Sequence, residues 1–283
     1  MLGWYGQDHI FLSEYALTAM NIFKRARISY ILRRHAIGHS LWESVIKKLP
    51  LLQGMDAVEK VRLRELSTLF LHEKNLYGVK ELQLTKEMRV IIAAQACLPI
   101  LGLGIALLSG WSDVIVYPDV FRVNRDEMDE FGIVHHGERI LSGESWSRGP
   151  VIVSWQEIER DRQRWKQGHN VIVHEIAHKL DMLNGRANGM PPLHSTMQTE
   201  QWTIAFSKAY QQLNLEVQHH LPSCMNPYAA ISPAEFFAVF SEYFFCAPQV
   251  LKAHFAEVYR QLSLYYRQDP WDRINATNSL ADE

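Results

Sequence analysis

Cysteine is scarce in this chain. Its three cysteines, Cys97, Cys224 and Cys246, are an odd number, widely spaced and without a C-x-x-C pair. That pattern fits reduced thiols in a cytosolic compartment and argues against a disulfide framework or a cysteine-based zinc site. An excess of either charge is also missing, since 29 basic side chains face 31 acidic ones for a formal net charge of −2. Intrinsic disorder calls for a larger imbalance and for less than the 47% apolar content found here, and a dedicated nucleic-acid binder is ordinarily basic overall. No cation precedes the first apolar run, where Asp8 and Glu14 stand in the places a signal peptide gives to lysine or arginine. Secretion is therefore not indicated. Repeats and low-complexity tracts are absent as well.

A chain of 283 residues is long enough to bury a core in one large or two small domains without a disulfide or metal staple, so any metal is expected to be functional. The unusual count is the 13 histidines. Between Lys24 and Arg34 five basic residues (Lys24, Arg25, Arg27, Arg33 and Arg34) interleave with Ile28, Tyr30, Ile31 and Leu32. Residues 1–40 read as a basic leader, poorly ordered or helical. Beyond Pro50, Asp56 and Glu59 form a capping pair ahead of Val58, Val61, Leu66, Leu69 and Phe70 at helical spacing.

Val90 to Leu108 carries no charge and approaches the length of a membrane span. Gln95, Pro99, Gly102 and Gly104 argue instead for a pair of buried helices. Short β-branched segments follow: Asp113 to Pro118, Ile133 to His136 with Arg139 to Leu141, and Val151 to Trp155. From Val171 the pattern is helical again, through Leu180, around Trp202 to Leu213, from Ser232 to Phe245 and on to about Tyr266, with a Gly/Pro-rich loop from Asn184 to Pro192. The expected class is α+β, with a small sheet beside the active-site helix and mostly helix elsewhere.

The informative segment is Val171-Ile-Val-His-Glu-Ile-Ala-His-Lys-Leu-Asp181. On a helix, His174 and His178 lie one above the other, so both imidazoles reach one metal while Glu175 projects beside them. Zinc lowers the pKa of a coordinated water from about 15.7 to roughly 7, and a neighbouring carboxylate can take the proton. The alternative is two surface histidines on an amphipathic helix. A metzincin would need glycine at 181 and histidine at 184, where this chain has Asp181 and Asn184. The third ligand is then sought on Ser232-Pro-Ala-Glu-Phe-Phe-Ala-Val-Phe-Ser-Glu242. Glu235 offers itself as a ligand, but it also completes a Ser-Pro-x-Glu helix start. Glu242, two turns on, is a fallback ligand or a support for a histidine.

These segments resemble the Mlc titration factor A family, bacterial cytosolic zinc peptidases whose catalytic core is similar to that of anthrax lethal factor. The matching pieces are Val134-His135, Gly143-Glu-Ser-Trp146, Gly149-Pro-Val-Ile-Val-Ser-Trp155, His174 to Asp181, Asn184-Gly185, Tyr228-Ala-Ala, Ser232 to Phe245, Gln268-Asp-Pro270 and the run around Leu98-Pro99. The resemblance implies one zinc per chain held by His174, His178 and Glu235, with Glu175 as general base. His135 corresponds to a histidine that can approach the metal and would make the site latent. Tyr228 corresponds to a tyrosine facing the metal, and Asp181, three residues after His178, is placed to support a ligand histidine. A single zincin-like unit is implied over residues 41–275, with a helical part to residue 110, a catalytic core from 111 and a tail at 276–283.

The implied activity is aminopeptidase-like cleavage of peptides, which would add along the Val151 to Trp155 strand edge, in the cytoplasm and with neither a membrane span nor direct nucleic-acid binding. A second implied role is binding of an Mlc-type repressor of glucose-phosphotransferase genes. A membrane-embedded protease is the third alternative, and it depends on the Val90 to Leu108 run.

Overall fold

The computed structural model describes residues 22–119 and 148–281, with side chains to residue 275. The basic stretch forms a helix, α1, over residues 22–34. Helices α2 (His39–Lys48) and α3 (Ala57–Glu73) follow. The capping pair starts α3 as expected: Asp56 accepts the N–H of Glu59, and the Glu59 carboxylate accepts the N–H of Asp56. Buried Leu63, Leu66, Leu69 and Phe70 turn the helix to the core.

The apolar run is not a pair of helices. Its first part belongs to α4 (Lys86–Cys97), and the rest breaks into turns and a single 3₁₀ turn at Ile105–Leu108. Pro99 lacks an N–H, and Gly104 takes a left-handed φ of 95°, so the helix stops where the sequence supplies breakers. Among the described residues no helix is long and apolar enough to cross a membrane.

Three parallel strands form one sheet in the order β1 (Asn75–Gly78), β2 (Asp113–Tyr117), β3 (Val151–Ser154). Leu76 pairs with Val114, and Val114 with Val151. Parallel pairing needs a crossover, and α4 supplies it between β1 and β2. β1 escapes the sequence reading because only Leu76 of its four residues is buried, too short a pattern to register. The expected strand at 133–141 lies outside the described residues. Ser154 ends β3 and caps α5 (Trp155–Gln163) by accepting the N–H of Glu157.

Helices α6 (Val171–Asp181), α7 (Thr199–Gln218) and α8 (Pro233–Cys246) build the remaining core. The last segment differs from the single helix expected to end near Tyr266. It divides into α9 (Pro248–His254), α10 (Ala256–Tyr266) and α11 (Pro270–Ala281), and the last of these runs into the residues read as a tail. Pro248 and Pro270 open two of these helices, the position proline suits.

Every residue of α8 from Phe236 to Cys246 is buried. Phe236 and Phe237 meet Phe206, which stacks on Trp202, and Phe244 meets Tyr266. Gln268 is buried and donates to the carbonyl of Leu98 at 2.9 Å, joining the chain end to the end of α4.

The turn into α6 is held against α8. Gly168 has φ 79°, and a Cβ there would stand 2.7 Å from the Tyr243 ring. Gly168→Ala combines left-handed strain with a clash against a buried ring, so its unfolding free energy should fall by about 2 kcal/mol or more. Chemical denaturation of both proteins checks this, and an unchanged midpoint would contradict the packing.

Candidate metal centre

Ile172, Val173, Ile176, Ala177 and Leu180 form the buried face of α6, which leaves His174, Glu175 and His178 on the partly open side. Asn170 caps the helix, its side-chain oxygen accepting the N–H of Val173 at 2.9 Å. α8 begins with Ser232 accepting the N–H of Glu235 at 3.2 Å. Only half of the expected capping box is formed, because the Glu235 carboxylate turns toward the two histidines instead of back to Ser232. Oε2 of Glu235 stands 3.1 Å from Nε2 of His174 and 3.5 Å from Nε2 of His178. The two Nε2 atoms are 3.1 Å apart.

These separations can be compared with the demands of a metal. A tetrahedral ion with bonds of about 2.0–2.1 Å to nitrogen and oxygen has ligand–ligand edges of about 3.3 Å. The three observed edges bracket that value. Oε2 of Glu235 is buried and makes no hydrogen bond among the described residues, although both imidazoles face it. A buried carboxylate oxygen with two convergent nitrogens and no proper donor fits a shared cation. His174, His178 and Glu235 are the group among the described residues able to hold a metal ion.

Glu242 is not part of that group. It is 6% exposed and lies on the other side of the His174 ring, its Oε1 2.8 Å from Nδ1. Its Oε2 accepts the backbone N–H of Asn170 at 2.6 Å. With Nδ1–H directed at a carboxylate, Nε2 is the nitrogen that a cation would take once its proton is displaced.

Tyr228 sits on a 3₁₀ turn, Pro227–Ala230, with its ring centroid 6.1 Å from that of His174. The residue is 45% exposed. Burial, then the carboxylates of Glu235 and Glu175, push its phenol up to about 12, and it stays protonated at neutral pH. Glu175 follows His174 on α6 and is half-buried on the partly open side of the helix.

Asp181 differs from expectation. Its oxygens accept the backbone N–H groups of Gly189 and Met190 at 2.8 and 2.9 Å, so it pins the Gly/Pro-rich loop and makes no hydrogen bond to a ligand histidine. His135 and the segments 134–135 and 143–146 lie outside the described residues. No sequence pattern marks Lys179. It is buried, donates to the carbonyl of Gly149 at 2.8 Å just before β3, and burial lowers its pKa to about 8. Asp161 also escaped notice: it accepts the N–H of Val171 at 2.8 Å, and burial pushes its carboxyl up to about 6.

Residues 21–267 match the glucose-regulated metallo-peptidase M90 family. The chain belongs to this family. Among its relatives, the Mlc titration factor A of Pectobacterium atrosepticum is 40% identical over 238 residues, 83% of this chain and 88% of that protein. The Mlc titration factor A of Yersinia pestis is 37% identical over 245 residues, 85% and 89% of the two chains. An uncharacterised protein of Synechocystis is 37% identical over 231 residues, 81% and 84%. M90 membership makes this a metallopeptidase-like protein and implies a metal, and the His–His–Glu group is able to hold one.

Electrostatics give this group a defined pH response. Burial opposes charge on His174, but Glu235 and Glu242 outweigh it and hold the pKa well above the ordinary histidine value. Burial likewise opposes charge on Glu235, and the adjacent imidazoles hold it well below the carboxylate range. A cation must displace the His174 proton. Apparent metal affinity should therefore fall as pH drops below the raised His174 value, by up to about tenfold per pH unit for one proton. Chelator competition between pH 6 and 9 measures it, and a flat profile would refute the assignment of that proton.

Proposed function

We propose that this protein is a zinc metallopeptidase with aminopeptidase-like activity, acting in the cytoplasm, where its free thiols Cys97, Cys224 and Cys246 stay reduced. The observation carrying this reading is the convergence of His174, His178 and Glu235 within bonding geometry, with Glu175 beside them on the same helix. Imidazole and carboxylate are the ligand set of catalytic zinc sites in peptidases. Bound zinc supplies Lewis acidity and lowers the pKa of water to about 7.

The chain's own residues supply the rest. His174 and His178 present neutral Nε2 atoms and Glu235 a carboxylate oxygen. Glu242 keeps the His174 proton on Nδ1. Glu175, at the partly open edge, takes a proton from the attacking water and returns it to the leaving amine. Tyr228, protonated because its phenol is held near 12, donates a hydrogen bond to the oxyanion that develops on the scissile carbonyl. β3 ends the strand order among the described residues, and an extended peptide laid along it would reach α6, which packs on that strand.

Purified protein should contain about one zinc per chain and cleave chromogenic aminoacyl substrates. Glu175→Gln should keep the metal and lose about 10²–10⁴-fold in kcat. Zinc-free wild-type protein would sink this reading. Tyr228→Phe should keep metal affinity and lower kcat by about 10²-fold, the cost of one oxyanion donor; a change confined to KM would instead make Tyr228 a substrate-binding residue.

A second reading is regulatory. The relatives from Pectobacterium and Yersinia are named Mlc titration factors, and we infer that this chain binds a repressor of the Mlc type. Pull-down with the organism's own glucose repressor tests it, and Glu175→Gln should bind as well as the wild type if partner binding and catalysis are separate.

A further inference from the structure

Gln95 is the one polar residue in the uncharged run from Val90 to Leu108, and it is buried. A buried amide without partners is costly, so its neighbours define its purpose. Its Nε2 donates to the carbonyl of Ile91 at 3.3 Å, which leaves Oε1 as an acceptor. That oxygen accepts Nδ2 of Asn170 at 2.7 Å, across 75 residues of sequence. Asn170 is then committed throughout. Its Oδ1 caps α6 at Val173, and its backbone N–H goes to Oε2 of Glu242. The other Glu242 oxygen takes Nδ1–H of His174.

Each link determines the direction of the next. Flipping the Gln95 amide would set its NH₂ against the NH₂ of Asn170. Flipping Asn170 would set its NH₂ against the N–H of Val173. Displacing the Asn170 backbone would take its N–H away from Glu242, whose other polar neighbours among the described residues are His174 and, at 3.9 Å, His169. The buried carboxylate would then be free to rotate away from Nδ1.

We infer that Gln95 and Asn170 are positioning residues for His174, acting through Glu242 to hold the imidazole with its proton on Nδ1 and its lone pair toward Glu235 and His178. This rests on the proposed metal site, but the network exists whether or not the site is catalytic. The role follows from position: α4 sits behind α6, and Gln95 is where that apolar wall touches the cap of the metal-bearing helix.

Two substitutions separate this from general stability. Gln95→Met removes the acceptor at nearly constant volume. Asn170→Ser keeps a side-chain oxygen for the cap and the backbone N–H for Glu242, and loses only the link to Gln95. The readouts are zinc affinity by chelator competition and the Nδ1–H proton resonance of His174 in ¹⁵N-histidine-labelled protein. That proton is present when the imidazole is metal-loaded and when it is doubly protonated. Both variants should bind zinc about tenfold more weakly, as supporting residues around metal ligands do. Their Nδ1–H resonance should move and exchange faster with water.

If Gln95→Met fails to fold, Asn170→Ser decides alone. Unchanged affinity and an unchanged resonance in folded Asn170→Ser would overturn the inference. Should the wild type take up no zinc while the resonance still moves, the network stands and the metallopeptidase reading falls. Should the wild type bind zinc and neither variant alter the resonance, the network falls alone.

Discussion

One buried carboxylate organises the region around the metal centre. Glu242 lies inside the most aromatic helix among the described residues, in sequence between Phe240 and Phe244, and a carboxyl group buried there is tolerated only if its oxygens are matched. Both are, one by the N–H at the start of α6 and one by the ring of His174. These bonds tie the start of α6 to the second half of α8. Glu235, seven residues earlier and on the same stripe of α8, is thereby brought against the other nitrogen of the same ring. The imidazole is gripped from both sides by carboxylates on one helix, and the remaining contacts of the site are built on that grip.

The surrounding structure keeps the two helices in register. Gly168 lets the chain pass under the Tyr243 ring, Asp161 takes the N–H of Val171, and Asp181 holds the loop that leaves α6. Lys179 joins the same helix to the segment entering β3, which ties the metal-bearing helix to the sheet. The electrostatic result is a concentrated pairing. The carboxylates raise the His174 pKa and the imidazoles lower that of Glu235, the arrangement a divalent cation replaces when it displaces a proton.

Much of this is legible in the amino-acid sequence. The period of α6, its i and i+4 histidines and the apolar face opposite them depend only on neighbours within the helix, and so does the Ser232 cap of α8. The two possible roles of Glu235 were not separable in this way, because backbone capping and side-chain direction are decided by different contacts. The structure shows Ser232 capping the helix while the carboxylate turns away. β1 is not legible in the sequence because a four-residue strand with one buried side chain carries too little pattern, and the apolar run does not announce its turns because hydrophobicity says nothing of how a chain bends after Pro99.

Local sequence by itself determined the helix that bears His174, Glu175 and His178 and the cap that begins α8, since each follows from spacing along one segment. Only the tertiary structure decided which carboxylate faces which nitrogen. Glu235 and Glu242 lie on the same face of one helix and are chemically alike, so their difference arises solely from where α6 crosses them. The same is true of Gln95, whose value lies in a partner 75 residues away that no local pattern announces.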